Sequence, residues 1–259
     1  MRRNLPIFWQ FARRDIEVQF RGSILGILWI ALGPLLMLGL YTVVFGYIFG
    51  GAYGVVEGET KLDYALGIFL GLSLFNWIAR TLATAPHAVV GQPNLVKKVV
   101  FPIGILPAAV ATGAAIHALV SLTLCLIGVA LLGPGLDWRC LWLLVILPPV
   151  GLLAFGLSWM LASVGVFFRD ISQLVPLLSM TLLYTSAVFY AVEQVPQPIW
   201  QFLRWNPLVH AVDAAHSSIL WGRSPDSESL LYLWGASLAI CLIGYLIFRR
   251  SHRNFADVL

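Results

Sequence analysis

Three groups of residues in this 259-residue chain have types and spacings that suit chemistry. Arg13, Arg14 and Arg21 stand close together just ahead of the first long apolar run. A guanidinium fork pairs with two oxygens of a phosphate, so this group suits an anionic, lipid-linked headgroup; a plain orientation anchor is the alternative. Tyr41 and Phe45 stand four apart in one apolar run, and Tyr184, Phe189 and Tyr190 lie close together in another. Their rings suit stacking on sugar rings, with the phenol as a hydrogen-bonding handle. Packing against lipid or core is the plain reading of any one of them. Lys97 and Lys98 form a basic pair in a segment bounded by Pro86 and Pro107, which reads as a docking element or as a basic loop.

Catalysis is harder to write. The lysines are Lys61, Lys97 and Lys98, and none follows a glycine, so GxxxxGK[ST] does not occur. ATP hydrolysis by that route is excluded. The chain has neither HExxH nor GxSG. Of its five histidines only His117 falls inside an apolar run, where it is a helix-contact residue or a functional one. Cys125, Cys140 and Cys241 lack the spacing of a metal site and read as small core residues. Candidate metal ligands are therefore absent.

The elements that must position these residues follow from composition. Hydrophobic residues make up 59% of the chain and charged residues 11%, with a mean hydropathy of +0.87. A soluble fold of this size has too little interior for so much apolar surface. A soluble enzyme, a nucleic-acid-binding domain and a disordered chain are all disfavoured. The expectation is an all-α integral membrane protein forming one transmembrane domain over 1–259. A span needs about 20 apolar residues, and six are predicted: 25–49, 64–84, 105–132, 141–167, 171–192 and 229–248. Twelve Lys or Arg gather on the side that holds both termini and four on the other, with net charges of +8 and −4 that reproduce the overall +4. The positive-inside rule then puts both termini in the cytoplasm. No cleavable signal is expected at the N-terminus.

Several stretches do not read as spans. Over 5–21, apolar Leu5, Phe8, Trp9, Ala12, Ile16 and Phe20 alternate with polar residues at helical spacing, which predicts an amphipathic helix in the interface. The long connection 193–228 is too apolar for a loop in water. Two short helices dipping into the outer leaflet over 196–222, parted at Trp205-Asn206-Pro207, are expected there. The spans carry almost no central charge, so ion coupling is disfavoured and the energy for any transport must come from another subunit.

Four stretches, in order along the chain, resemble the permeases of polysaccharide-exporting ABC transporters, the exporters of O-antigen, capsule and teichoic acid. They are Arg13-Arg14-Asp15-Ile16-Glu17-Val18-Gln19-Phe20-Arg21-Gly22 with Gly33-Pro34; Asn94-Leu95-Val96-Lys97-Lys98-Val99-Val100-Phe101-Pro102; Phe168-Arg169-Asp170-Ile171; and Trp205-Asn206-Pro207-Leu208-Val209-His210. Family members often carry an arginine after the Asn-Pro motif, where this chain has Ala215-His216-Ser217-Ser218.

The resemblance implies a homodimer of this chain in the bacterial inner membrane, working with two copies of a separate ATPase subunit that binds ATP and magnesium. The chain itself would be a channel and not an enzyme, would need no cofactor, and would move undecaprenyl-pyrophosphate-linked polysaccharide outward. By family likeness Arg13, Arg14 and Arg21 would meet the pyrophosphate. The segment 88–101, with Asn94, Lys97, Lys98 and Phe101, would dock on the ATPase, helped by Arg169 and Asp170. Tyr41, Phe45, Tyr184, Phe189 and Tyr190 would line the pathway, and Trp200, Trp205, Asn206 and Pro207 would form its outer gate. Membrane lipid is a partner in this reading; nucleic acid is not. A permease for a drug or small lipid, or an integral-membrane enzyme acting on polyprenyl phosphate, are the alternatives.

Overall fold

The computed structural model describes residues 8–11, 22–98 and 102–258. Among the described residues the chain is helical, with no strand. Lipid offers backbone groups no partners, so apolar runs satisfy themselves as helices. Five of these are long and apolar enough to cross a membrane, and the chain is a multi-pass membrane protein. The first comprises α1 (Trp29–Tyr41) and a wider π-helical continuation, Thr42–Ile48. The second is α2 (Lys61–Thr84). Two short helices follow, α3 (His87–Val90) and α4 (Pro93–Lys98). The remaining three crossings are α5 (Ile105–Leu132), α6 (Leu143–Phe167) and α10 (Ser227–Ser251). Between the last two lie α7 (Ile171–Tyr184), α8 (Gln197–Leu203) and α9 (Pro207–Ile219). A last short helix, α11, is Phe255–Val258.

One boundary departs from the sequence reading. The run 171–192 is helical only over Ile171–Tyr184, 14 residues, or about 21 Å at 1.5 Å per residue. Thr185 and Ser186 donate their hydroxyls back to the carbonyls of Thr181 and Leu182. Ala187 then takes a left-handed φ of 54°. Side-chain competition for helix carbonyls and a left-handed residue together stop the helix.

The centre of the bundle is α2, of which 78% of the most apolar stretch is buried. It starts on a reciprocal cap: Thr60 Oγ1 accepts from the Asp63 N–H (3.2 Å), and Asp63 Oδ2 accepts from the Thr60 N–H (2.9 Å). It lies antiparallel to α5, to which the Trp77 indole donates at the Ala111 carbonyl (3.3 Å). The pair α6 and α10 packs backbone to backbone. A Cβ on Gly156 would sit 2.6 Å from Cys241 Cα, and one on Gly244 would run into the Gly156 carbonyl. Small residues permit such closeness in membranes. Phe255 of α11 folds back and is fully buried against Phe248 and Phe167, beside Val89 of α3. α1 and its extension stay largely uncovered, with 6% of the apolar stretch buried, and α7 buries only Val175.

Candidate functional site

The five aromatics singled out from the sequence come together. The Phe45 ring lies 6.0 Å from Tyr41 and 5.4 Å from Phe189, and Phe189 lies 6.2 Å from Tyr184. The Tyr190 hydroxyl donates to the Tyr184 carbonyl (2.9 Å), which ties it to the same group. Phe49 adds a further ring, 5.8 Å from Phe45. The sequence reading missed it, although 41, 45 and 49 continue one four-residue step. Past Tyr41 the helix widens: the Phe49 N–H donates to the Val44 carbonyl, five residues back (2.9 Å). Tyr184 is 58% exposed and so offers its ring outward. The result is a track of rings shared by the first crossing, the last residue of α7 and the chain just past it.

Beside the track lies Tyr53, which is 1% exposed. Its hydroxyl donates to the Val188 carbonyl (2.7 Å), and the Tyr64 hydroxyl donates to the neighbouring Phe189 carbonyl (3.0 Å). Glu59 holds the loop by accepting from the Tyr53 and Gly54 N–H groups, each at 2.9 Å. The Tyr53 ring is boxed in by Tyr64 (4.8 Å), His216 (4.9 Å) and Trp221 (5.7 Å). Burial pushes its phenol well above 10, so it stays a proton donor. His216, in the stretch where the resemblance led one to look for an arginine, is buried with Nε2 2.9 Å from the Gly67 carbonyl. Neither Tyr53 nor His216 was picked out from the sequence; the cluster Gly50-Gly51-Ala52-Tyr53-Gly54 was the available signal.

The four expected gate residues sit at the Tyr53 end of the bundle. Asn206 caps α9, its Oδ1 accepting from the Leu208 N–H (3.0 Å). Its Nδ2 donates to the Thr185 carbonyl and to Ser186 Oγ, both at 3.1 Å. One amide thus fastens the start of α9 to the broken end of α7. Pro207 follows at the first helical position, where its missing N–H costs nothing. The Trp200 ring meets His210 edge-on at 5.9 Å. Trp205 is 66% exposed, and its carbonyl accepts from the Tyr232 hydroxyl (2.9 Å).

At the opposite end, the turn holding Arg169 and Asp170 lies beside the first short helix. Ser172 Oγ is 3.2 Å from His87 Nε2, and a Cβ on Gly165 would strike the Pro86 carbonyl. The structure therefore brings together the two stretches expected to dock a partner. Arg169 and Asp170 are exposed, as are Asn94 and Lys97 on α4. Arg13, Arg14, Arg21 and Phe101 lie outside the described residues, as does the side chain of Lys98.

Comparison with known proteins agrees with this architecture. The chain is 26% identical over 251 residues to the O-antigen export system permease protein RfbA of Klebsiella pneumoniae, covering 95% of this chain and 92% of that protein. It is 26% identical to the Myxococcus xanthus protein of the same name, with the same two coverages. It is 28% identical over 242 residues to the polysialic acid transport protein KpsM of Escherichia coli, covering 91% of this chain and 90% of that one. The family model for the ABC-2 type transporter matches residues 7–220. The chain, which matches that model over most of its length, belongs to the ABC-2 type transporter family.

Proposed function

We propose that this chain is the membrane-spanning channel subunit of an ATP-driven exporter of lipid-linked polysaccharide. In this reading two copies form the channel and two separate nucleotide-binding subunits drive it, docking at the His87 end. The cargo is undecaprenyl-pyrophosphate-linked polymer of the O-antigen or capsule type, carried outward across the bacterial inner membrane. Arg13, Arg14 and Arg21 receive the pyrophosphate, and the ring track carries the sugars. Tyr53 and the helices α8 and α9, which dip back into the outer leaflet, close the way out.

The reading puts both termini in the cytoplasm, which requires an even number of crossings. The sixth is α7 together with residues 185–191. Support comes from its two anchor points. Ser172 is bonded beside His87, just beyond the last residue of α2, and the Phe189 carbonyl is bonded to Tyr64, near its first. A segment tethered near both ends of a 24-residue helix covers about 36 Å, enough for a bilayer core of about 30 Å.

The observation that carries the proposal is the contact between Phe45 and Phe189, which joins rings from two elements into a single apolar, hydroxyl-edged surface. The C–H face of a sugar can pack on an aromatic ring, whose flat surface tolerates sliding. Replacing both Phe45 and Phe189 with Ala is expected to cut surface polymer at least about tenfold, the loss of one to two ring contacts, while membrane insertion is unchanged. The readout is surface polysaccharide in cells whose only copy of this subunit is the variant. Wild-type polymer with the double variant normally inserted would overturn the pathway.

A further inference from the structure

The last turn of α10 carries Arg249 and Arg250, and Arg253 follows in the 3-10 turn beyond it. Counted from Leu246, the three stand at the third, fourth and seventh positions, the spacing of a single helix face. With Leu246 as an apolar floor they line a cavity of about 350 Å³. All three are exposed, and among the described residues none of them pairs with a carboxylate.

The hook behind the cavity keeps the third guanidinium with the other two. His252 Nδ1 lies 2.7 Å from the Arg249 carbonyl, and the His252 ring stacks on Phe248 with the planes 4° apart. Phe255 is fully buried against Phe248 and Phe167. The chain past α10 is thereby pinned to the bundle, and Arg253 shares one cavity with Arg249 and Arg250 instead of trailing away from them.

An uncovered apolar stripe leads into this cavity. Leu231, Leu238, Leu242 and Leu246 succeed one another at steps of seven, four and four, and they are 76%, 49%, 53% and 58% exposed. The opposite face of α10 is the one that meets α6, where Gly244 touches Gly156. A basic residue at a membrane edge is ordinary by itself, since an arginine there extends to whatever phosphates pass. Three forks gathered round one cavity at the foot of an acyl-facing stripe are more than that. The tails and the headgroup of one lipid find their partners on one helix face. The three guanidiniums are permanently charged, whereas a phosphodiester carries a single negative charge. A headgroup with two phosphates is the closer complement, and Arg249 and Arg253, about 6 Å apart along the axis, can each fork onto one of them. Basic pockets at this depth suit such doubly charged headgroups.

We propose that this face of α10 binds a bilayer phospholipid bearing two phosphates, of the cardiolipin class. Arg249, Arg250 and Arg253 hold the phosphates, and the acyl chains lie along Leu238, Leu242 and Leu246. The site shares no residue with the ring track, so it stands or falls independently of the export reading.

The full-length chain, purified in detergent, is titrated by native mass spectrometry with cardiolipin, phosphatidylglycerol and phosphatidylcholine. Cardiolipin is expected to bind at least about tenfold tighter than phosphatidylglycerol, the worth of one further charged contact. Phosphatidylcholine should bind more weakly still. The double variant Arg249→Gln/Arg253→Gln should weaken cardiolipin about 10- to 100-fold and leave phosphatidylcholine unchanged. Arg249→Lys/Arg253→Lys should recover part of the loss, keeping charge but not the fork. Leu246→Asn removes the apolar floor and keeps every charge; it should also weaken cardiolipin, and it serves if the glutamine pair does not insert. Equal binding of cardiolipin and phosphatidylglycerol overturns the proposal, as do glutamine-pair and Leu246→Asn variants that both stay within about twofold of wild type. Cardiolipin bound to the monomer but shed from the dimer would show that a second copy covers the stripe, and also overturns it. Undecaprenyl pyrophosphate binding tighter than cardiolipin, with the same dependence on Arg249 and Arg253, would overturn the assignment to a bilayer lipid.

Discussion

Replacing Asn206 should separate two jobs carried by one amide. Its oxygen caps α9 through the Leu208 N–H (3.0 Å), and its nitrogen donates to the Thr185 carbonyl and Ser186 Oγ (3.1 Å each). Removing an N-cap costs about 1 kcal/mol. Depriving a half-buried carbonyl of its donor costs about 1–3 kcal/mol. Asn206→Ala loses both and is expected to cost about 2–4 kcal/mol. Asn206→Ser keeps a capping oxygen on a side chain too short to reach Thr185, so it should cost about 1–3 kcal/mol. For a chain of this length each kcal/mol moves the midpoint by about 2–4 °C. Thermal unfolding of the purified chain, followed by the fluorescence of its ten tryptophans, should place Asn206→Ala about 5–15 °C below wild type and Asn206→Ser between them. If Asn206→Ser melts with Asn206→Ala, the cap contributes nothing; if it melts with wild type, the clasp to α7 contributes nothing. Either result refutes the division of labour.

Two further outcomes are expected. Gly244→Ala puts a Cβ into the Gly156 carbonyl and should destabilise the α6–α10 pair by about 1–3 kcal/mol, read as a lower melting midpoint; an unchanged midpoint would show that the helices part freely. Asp226 caps α10 through the Ser229 N–H (2.8 Å), which holds its carboxyl below the usual carboxylate range. A depressed folded value means the stabilisation is complete above the unfolded carboxyl value, about 3.9, and fades as pH falls through the folded value. Asp226→Ala should therefore melt below wild type at pH 7, with the gap narrowing by pH 3; a gap that does not narrow would contradict the cap.

What was legible in the sequence divides along a physical line. The five long helices were readable because each holds a long apolar stretch with few charges, and lipid leaves such a stretch little choice but helix. The end of α7 was not. From Ile171 to Val192 no charge interrupts the run, and a transfer scale weighs apolarity, not the hydroxyls of Thr185 and Ser186 or the left-handed turn at Ala187. The four-residue spacing of Tyr41 and Phe45 was visible, but that Phe189 would meet Phe45 across more than 140 residues of chain was not. Long-range closure left no local trace at Tyr53 or Phe255 beyond a glycine cluster in one case and a lone aromatic in the other.

The widened turn at Thr42–Ile48 amounts to one residue more than an α-helix would accommodate in that length. Such a surplus can sit at one register or the next, and each one-residue migration swivels the side chains it passes by about 100°, the angular step of the α-helix. Phe45 lies on that stretch and Phe49 just past it, so both rings would turn with it. A travelling dislocation in the helix would let these rings turn one after another without any helix sliding as a whole.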